Sequence, residues 1–257
     1  MLLTAHPPIA SAAEEVPPSA VDRNDIAARL KAAYPEFVVT IEGNEVVFKD
    51  GTRLPFDDGK AKTFDEWLSD PDIKDMFRYP YPWGAPATPP SRNFDPGRVH
   101  NFEFFTKMYG DCRKPGFDKS LTRIPWLPRK TKQTILVTTI NGVADKLKAV
   151  GAELELLPSS FDAFLFPSAG AFNCRRVRGT DKLSPHGYGI AVDLALKPSH
   201  YWLWDSGGSD ATLPYRNDTP QEIIEIFEKH GFIWGGRWFH YDTMHFEYRP
   251  ELIAPPK

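Results

Sequence analysis

The chain has 257 residues, enough for one sizeable domain with an extension or for two small ones. Its 41% hydrophobic and 25% charged residues are ordinary for a soluble globular protein, and a net charge of −3 without a basic run argues against a nucleic-acid or membrane-surface binder. No apolar run approaches the ~20 residues that span a bilayer, and 25 prolines with 13% aromatics point to long ordered connections and an aromatic-rich core or cleft.

The first 20 residues are rich in Ala, Pro and Ser. They carry an A-x-A-like site at Ala10-Ser11-Ala12, but lack a basic start, and Pro7 and Pro8 break the apolar stretch. The segment reads either as the remnant of a secretory signal, with an extracytoplasmic destination, or as a disordered tail. Residues 22–33 predict a helix, and "FVVTIEGNEVVFKDG" predicts a hairpin turning at Gly43-Asn44. "TFDEWLSDPDIKDMF" reads as short helices broken at Pro71. Residues 79–98 are too proline-rich for a helix or a central strand and read as a long connection. Residues 21–98 are therefore expected to form an N-terminal subdomain with its connection, and 99–257 a second, catalytic unit.

Beyond that boundary, "VHNFEFFTKMYG" predicts a helix stopped by Gly110, and "QTILVTTI" a strand. A further helix follows, with Val143, Leu147 and Val150 at helical spacing and Asn141 as its cap. "TPQEIIEIFEKHG" predicts a helix with a Thr219/Glu222 capping box, Pro220 in its first position and Gly231 as the stop. Strands mixed with helices, without βαβ alternation, indicate an α+β fold: a small, mainly antiparallel sheet flanked by helices. The two cysteines, Cys112 and Cys174, sit in polar contexts and leave open a disulfide or two free thiols.

Two stretches carry the chemistry. In "SPHGYGIAVDL" (184–194), alternation puts Ile190, Val192, Leu194 and Leu196 on one strand face and Ala191, Asp193 and Ala195 on the other. The flanking alanines leave room above the Asp193 carboxylate. In "DTMHFEY" (242–248), Met244, Phe246 and Tyr248 face a core while His245 and Glu247 face away, and Asp242 lies at the start of the strand. Taken singly, His186 reads as a loop histidine, Asp193 as a strand-end carboxylate and His245 as a core histidine. Taken together, two imidazoles and a carboxylate suit a borderline divalent ion and leave a coordination position for water.

These two stretches resemble the motifs S-x-H-x-x-G-x-A-x-D and D/E-x-x-H of the zinc peptidoglycan peptidases. That family comprises VanY-like D-alanyl-D-alanine carboxypeptidases and L-alanyl-D-glutamate endopeptidases, which share a fold with the hedgehog signalling domain. The resemblance covers roughly residues 100–252 and leaves 1–98 without a counterpart. It implies that His186, Asp193 and His245 bind one Zn2+, that Asp242 is the catalytic base, and that an upstream arginine holds the scissile carbonyl. Among Arg175, Arg176 and Arg178 in "FNCRRVRG", Arg175 fits that place best. The implied partners are peptidoglycan stem peptides. Ser184, Trp238 and His240 are expected to line the substrate site, with Glu247 orienting a ligand histidine. Tyr201, Trp202, Trp204 and Trp234 are assigned to packing. A non-haem iron oxygenase also uses two histidines and a carboxylate, but its H-x-D spacing is absent and it gives Asp242 no task. A non-catalytic zinc module that binds peptides is the remaining alternative, and such a module needs no proton acceptor at position 242.

Overall fold

A computed structural model describes residues 21–177, 182–210 and 213–253. The site at Ala10-Ser11-Ala12 and Arg178 lie outside the described residues.

Helix α1 (Arg23–Ala33) begins on Asp22, whose side chain accepts from the Asn24 N–H, and buries Ile26 and Leu30. β1 (Val38–Glu42) and β2 (Glu45–Phe48) turn at Gly43-Asn44 as the sequence predicts. β3 (Arg53–Pro55) extends this sheet; three residues are too few for alternation to reveal a strand. α2 (Phe64–Ser69) carries a complete capping box between Thr63 and Glu66 and ends before Pro71. Residues 79–98 contain no helix or strand, yet Tyr79, Tyr81 and Asp95 are buried.

α3 (Phe102–Tyr109) stops at Gly110. β4 (Leu121–Pro125), which sequence reading missed, pairs antiparallel with β5 (Thr134–Thr138). α4 (Val143–Leu154) and the short α5 (Asp162–Leu165), α6 (Pro185–Tyr188) and α7 (Trp202–Ser206) lead to α8 (Gln221–Lys229). A third sheet has the order β6 (Ala191–Asp193), β8 (His245–Tyr248), β7 (Phe232–Trp234), all antiparallel. The fold is α+β, as expected, but its strands are divided among three small sheets rather than gathered in one.

Two helix starts differ from prediction. Asn141 does not cap α4: it adopts a left-handed backbone, its amide donates to the Ala33 carbonyl, and Gly142 stands at the cap. The Thr219 side chain makes no capping bond to α8. Its hydroxyl donates to the Thr243 carbonyl, and Pro220 is the residue before the helix, with an extended ψ. In both places a tertiary hydrogen bond takes the side chain that local geometry would use as a cap.

The apolar core runs without a break from Ile26 to Leu252 and crosses the 98/99 boundary. Tyr34 and Phe48 pack on Phe104 across that boundary, and the Tyr34 hydroxyl donates to Glu251. Tyr81 donates to the fully buried Glu228 of α8, which also receives the Arg237 Nε–H at 2.7 Å. Cys112 and Cys174 are joined in a disulfide, tying the loop after α3 to the segment that carries Arg175.

Candidate metal centre

Position and register place the first two side chains. Ser184 caps α6 by accepting from the His186 N–H, so it acts as a turn-former, and it also lines the cleft described below. The single turn of α6 ends on Gly189 at φ +73°, where a Cβ would stand 2.8 Å from the Thr138 nitrogen. Only glycine accepts both that backbone and that approach. The chain then enters β6, where Asp193 is the direct cross-strand partner of His245 on β8. A pairing one residue out of step would turn one of them to the opposite face.

His186, Asp193 and His245 each offer a ligand atom, and these atoms lie within 4.8 Å of one another. His186 Nδ1 is 2.5 Å from the Ala171 carbonyl oxygen. A carbonyl only accepts, so Nδ1 carries a proton, and Nε2 faces Asp193 Oδ2, 3.2 Å away. That Nε2 is buried without a hydrogen-bond partner. Nε2 and the Asp193 carboxylate thus face each other as two metal-ligand types within reach of one ion.

His245 Nδ1 is 3.0 Å from Asp193 Oδ1, and its Nε2 is 3.1 Å from Glu247 Oε2. Burial alone would lower the His245 pKa, but hydrogen bonds to Asp193 and Glu247 push it up to about 10. Burial raises the Asp193 carboxyl, yet His186 and His245 together hold it well below the usual carboxylate range. The pocket thus favours positive charge, and a divalent cation bound among His186, Asp193 and His245 would supply it. The donor set fits zinc.

Asp242 lies beside this group. Its backbone is fixed by a bond from its N–H to the Gly235 carbonyl and by a bridge to Tyr201. Gly235 permits this approach, since a Cβ there would sit 2.6 Å from the Asp242 carbonyl oxygen. Asp242 Oδ1 is buried and unpartnered. Burial pushes its carboxyl up to about 6; the charge of His245 offsets this in part, and Arg175 also lowers it. A carboxyl poised there can exchange protons near neutral pH.

A cleft of about 300 Å³ opens over these residues and is lined by Arg175, Ser184, Trp238, His240, Asp242 and His245, among others. Two assignments change. Tyr201 and Trp202, read from the sequence as packing residues, also line this cleft, whereas Trp234 is fully buried and Trp204 is exposed. The expectation that β8 is apolar on one face and open on the other fails as well, because Glu247 is fully buried. It is held by His245, by His100 at 2.8 Å and by Arg249 at 3.0 Å. On β6 the alternation stops at Asp193, and Leu196 is 50% exposed. Arg176 is exposed and bridges to Leu183.

Two titratable cleft residues escaped sequence reading altogether. Arg98 and His100 come from the end of the proline-rich connection and the residues just after it. No periodicity or motif marks them.

Residues 178–248, which contain Asp193, Asp242 and His245 as well as His186, match a family model described as D-alanyl-D-alanine carboxypeptidase. The match supports, at the level of the broad family, a peptidase. Comparison with curated proteins gave no match, and neither did comparison with solved structures.

Proposed function

We propose that this protein is a zinc metallopeptidase that hydrolyses an amide bond in peptidoglycan stem peptides. The reading rests on one observation above others: three ligand-type side chains with a starved Nε2 converge beside a buried, unpartnered carboxyl, in one cleft and within the family match. His186, Asp193 and His245 would hold the metal, with Ala171 and Glu247 fixing the two imidazoles from behind. When bound, zinc supplies a Lewis acid and lowers the pKa of water toward ~7.

The chain's own groups do the rest. Asp242 takes a proton from the attacking water and returns it to the leaving amine, a role that its raised pKa suits. Arg175, exposed at the cleft, offers a cation to the carbonyl oxygen as that oxygen gains charge. Trp238, Trp202 and Tyr201 give the peptide apolar walls. Asp242 also favours this reading over a non-catalytic binding module, which has no use for a poised carboxyl. Residues 99–257 would carry the catalysis, and 21–98 would brace it. The disulfide suits an oxidising, extracytoplasmic compartment.

Digestion of purified muropeptides, with and without a chelator and with zinc restored, tests the proposal by product mass. Release of free alanine would mark a carboxypeptidase and new amino termini an endopeptidase. Muropeptides left intact by the zinc-supplemented protein would overturn it.

A further inference from the structure

We infer that His100 is a positioning residue of the metal centre: it fixes Glu247, and Glu247 fixes the ring of His245. The inference rests on the metal-binding part of the reading above and adds to it a residue from outside the family match.

Glu247 is the node. It is fully buried, so its carboxylate takes its orientation from protein donors and not from water. Oε2 accepts from His245 Nε2 at 3.1 Å, while Oε1 accepts from His100 Nε2 at 2.8 Å and from Arg249 Nη1 at 3.0 Å. An ionised carboxylate only accepts, so Glu247 keeps a proton on His245 Nε2. That leaves Nδ1, 3.0 Å from Asp193 Oδ1, as the nitrogen His245 can offer to a cation. The bond on one ring nitrogen thus decides which nitrogen ligates and how the ring is turned.

Arg249 does not hold Glu247 alone. Its Nε donates to Glu251 at 2.5 Å, and its Nη1 also donates to the Gly97 and Val99 carbonyls at 2.7 and 3.3 Å. One guanidinium charge is divided between two buried carboxylates, and one nitrogen among three acceptors. His100 Nε2 makes the shorter bond to Glu247 and has no other hydrogen-bond partner among the described residues. Its ring is held in turn, packing edge-on against Phe105 with the centroids 5.1 Å apart, and its side chain is 13% exposed. Residues 97–100 therefore bind both Glu247 and the arginine beside it. A segment the family match does not include is built into the orientation of a metal ligand.

The test measures zinc affinity on the full chain, by competition with a chromophoric chelator. His100→Phe keeps an aromatic ring but no donor, and His100→Gln keeps an N–H donor but no ring. His100→Phe should bind zinc about five- to tenfold more weakly than the parent, the worth of one hydrogen bond, and His100→Gln should lie nearer the parent. Glu247→Gln, one link closer to the metal, should lose about 10–100-fold. The double variant should be no weaker than Glu247→Gln, because His100 acts through that carboxylate. Melting temperatures of the zinc-free proteins are recorded alongside, since a merely structural role lowers them without moving the zinc affinity of folded protein. His100→Leu, which also lacks a donor, takes the place of His100→Phe if the latter is unfolded at the assay temperature.

Parent-like zinc affinity in the donor-less variant, or losses that simply add in the double variant, overturns the inference. Unchanged zinc affinity with a raised KM on muropeptides would make His100 a substrate contact, and the inference would fail while the peptidase reading stands. The expected pattern of zinc affinities in a chain that cuts no muropeptide supports the inference, and only the peptidase reading has then failed. A parent chain that takes up no zinc overturns both.

Discussion

Strand β8 and the connection 79–98 deliver side chains to the same cleft by different physics. β8 offers His245 through a register: Asp193 faces it across the sheet, and the apolar residues between fix which face is which. The connection delivers Arg98 through individual bonds, in which buried polar groups stand in for a ladder. Asp95 binds His240 and Arg98, Tyr81 binds Glu228, and the Gly84 N–H reaches the same Glu228 at 2.9 Å. A periodic element announces its functional residue because the neighbours repeat. A segment held by single polar contacts announces nothing.

The sharpest test of the β8 half is His245→Ala. It should remove the metal, measured by elemental analysis after dialysis, and take activity below detection. A variant that still held zinc and still cut muropeptides would mean that the register does not define the centre. Next in size is Asp242→Asn, which keeps shape but cannot accept a proton. It should retain zinc and melting temperature while turnover falls by about 10²–10⁴-fold. Zinc lost together with activity would make Asp242 a ligand, and a protein that stays fully active would remove it from the chemistry.

For the connection half, Glu228→Ala strips the carboxylate from the nearly fully buried Arg237, leaving it only carbonyl acceptors such as that of Ala85, and leaves the Tyr81 hydroxyl and the Gly84 N–H without their acceptor. Breaking a buried ion pair on one side typically costs about 3–5 kcal/mol. Denaturant unfolding should show a loss of that order. A loss under about 1 kcal/mol would mean that the connection is only draped over α8. Cys112→Ser with Cys174→Ser should cost somewhat less, about 2–4 kcal/mol, since the bridge spans 62 residues.

How far the sequence could be read follows the same division. The α+β class, the hairpin at Gly43-Asn44, the helix ended by Gly110 and the convergence of His186, Asp193 and His245 were all legible, because each rests on spacing or on a turn residue. β3, β4 and β7 were missed; β3 and β7 are only three residues long. The caps at Asn141 and Thr219 were misread because distant carbonyls, Ala33 and Thr243, recruit those side chains. Glu247 could be suspected from the sequence as a partner of His245. Its burial could not, since that depends on His100 and Arg249 closing over it.

The smallest expected effect, and the one specific to the corner where the two regions meet, concerns Asp95 and acid. Burial alone would raise its carboxyl, but the charge of Arg98 and the hydrogen bonds and charge of His240 hold it below the ordinary value. The folded pKa is then lower than the unfolded one, about 3.9 for an aspartate. Between the two values the unfolded chain binds more protons, so stability rises with pH through that window. The contribution is fully present above about pH 4 and is lost as pH falls through the folded value. Asp95→Asn removes it. The variant should melt lower than the parent at pH 6, and the gap should narrow as both are acidified below about pH 4. Other buried carboxylates, Glu247 among them, are common to both proteins, so the narrowing reports on Asp95 and its partners Arg98 and His240. A gap that is constant from pH 6 to pH 3 would show that the carboxylate's charge does not hold the corner. The link between the connection and the cleft would then rest on shape and on the neutral hydrogen bonds to His240.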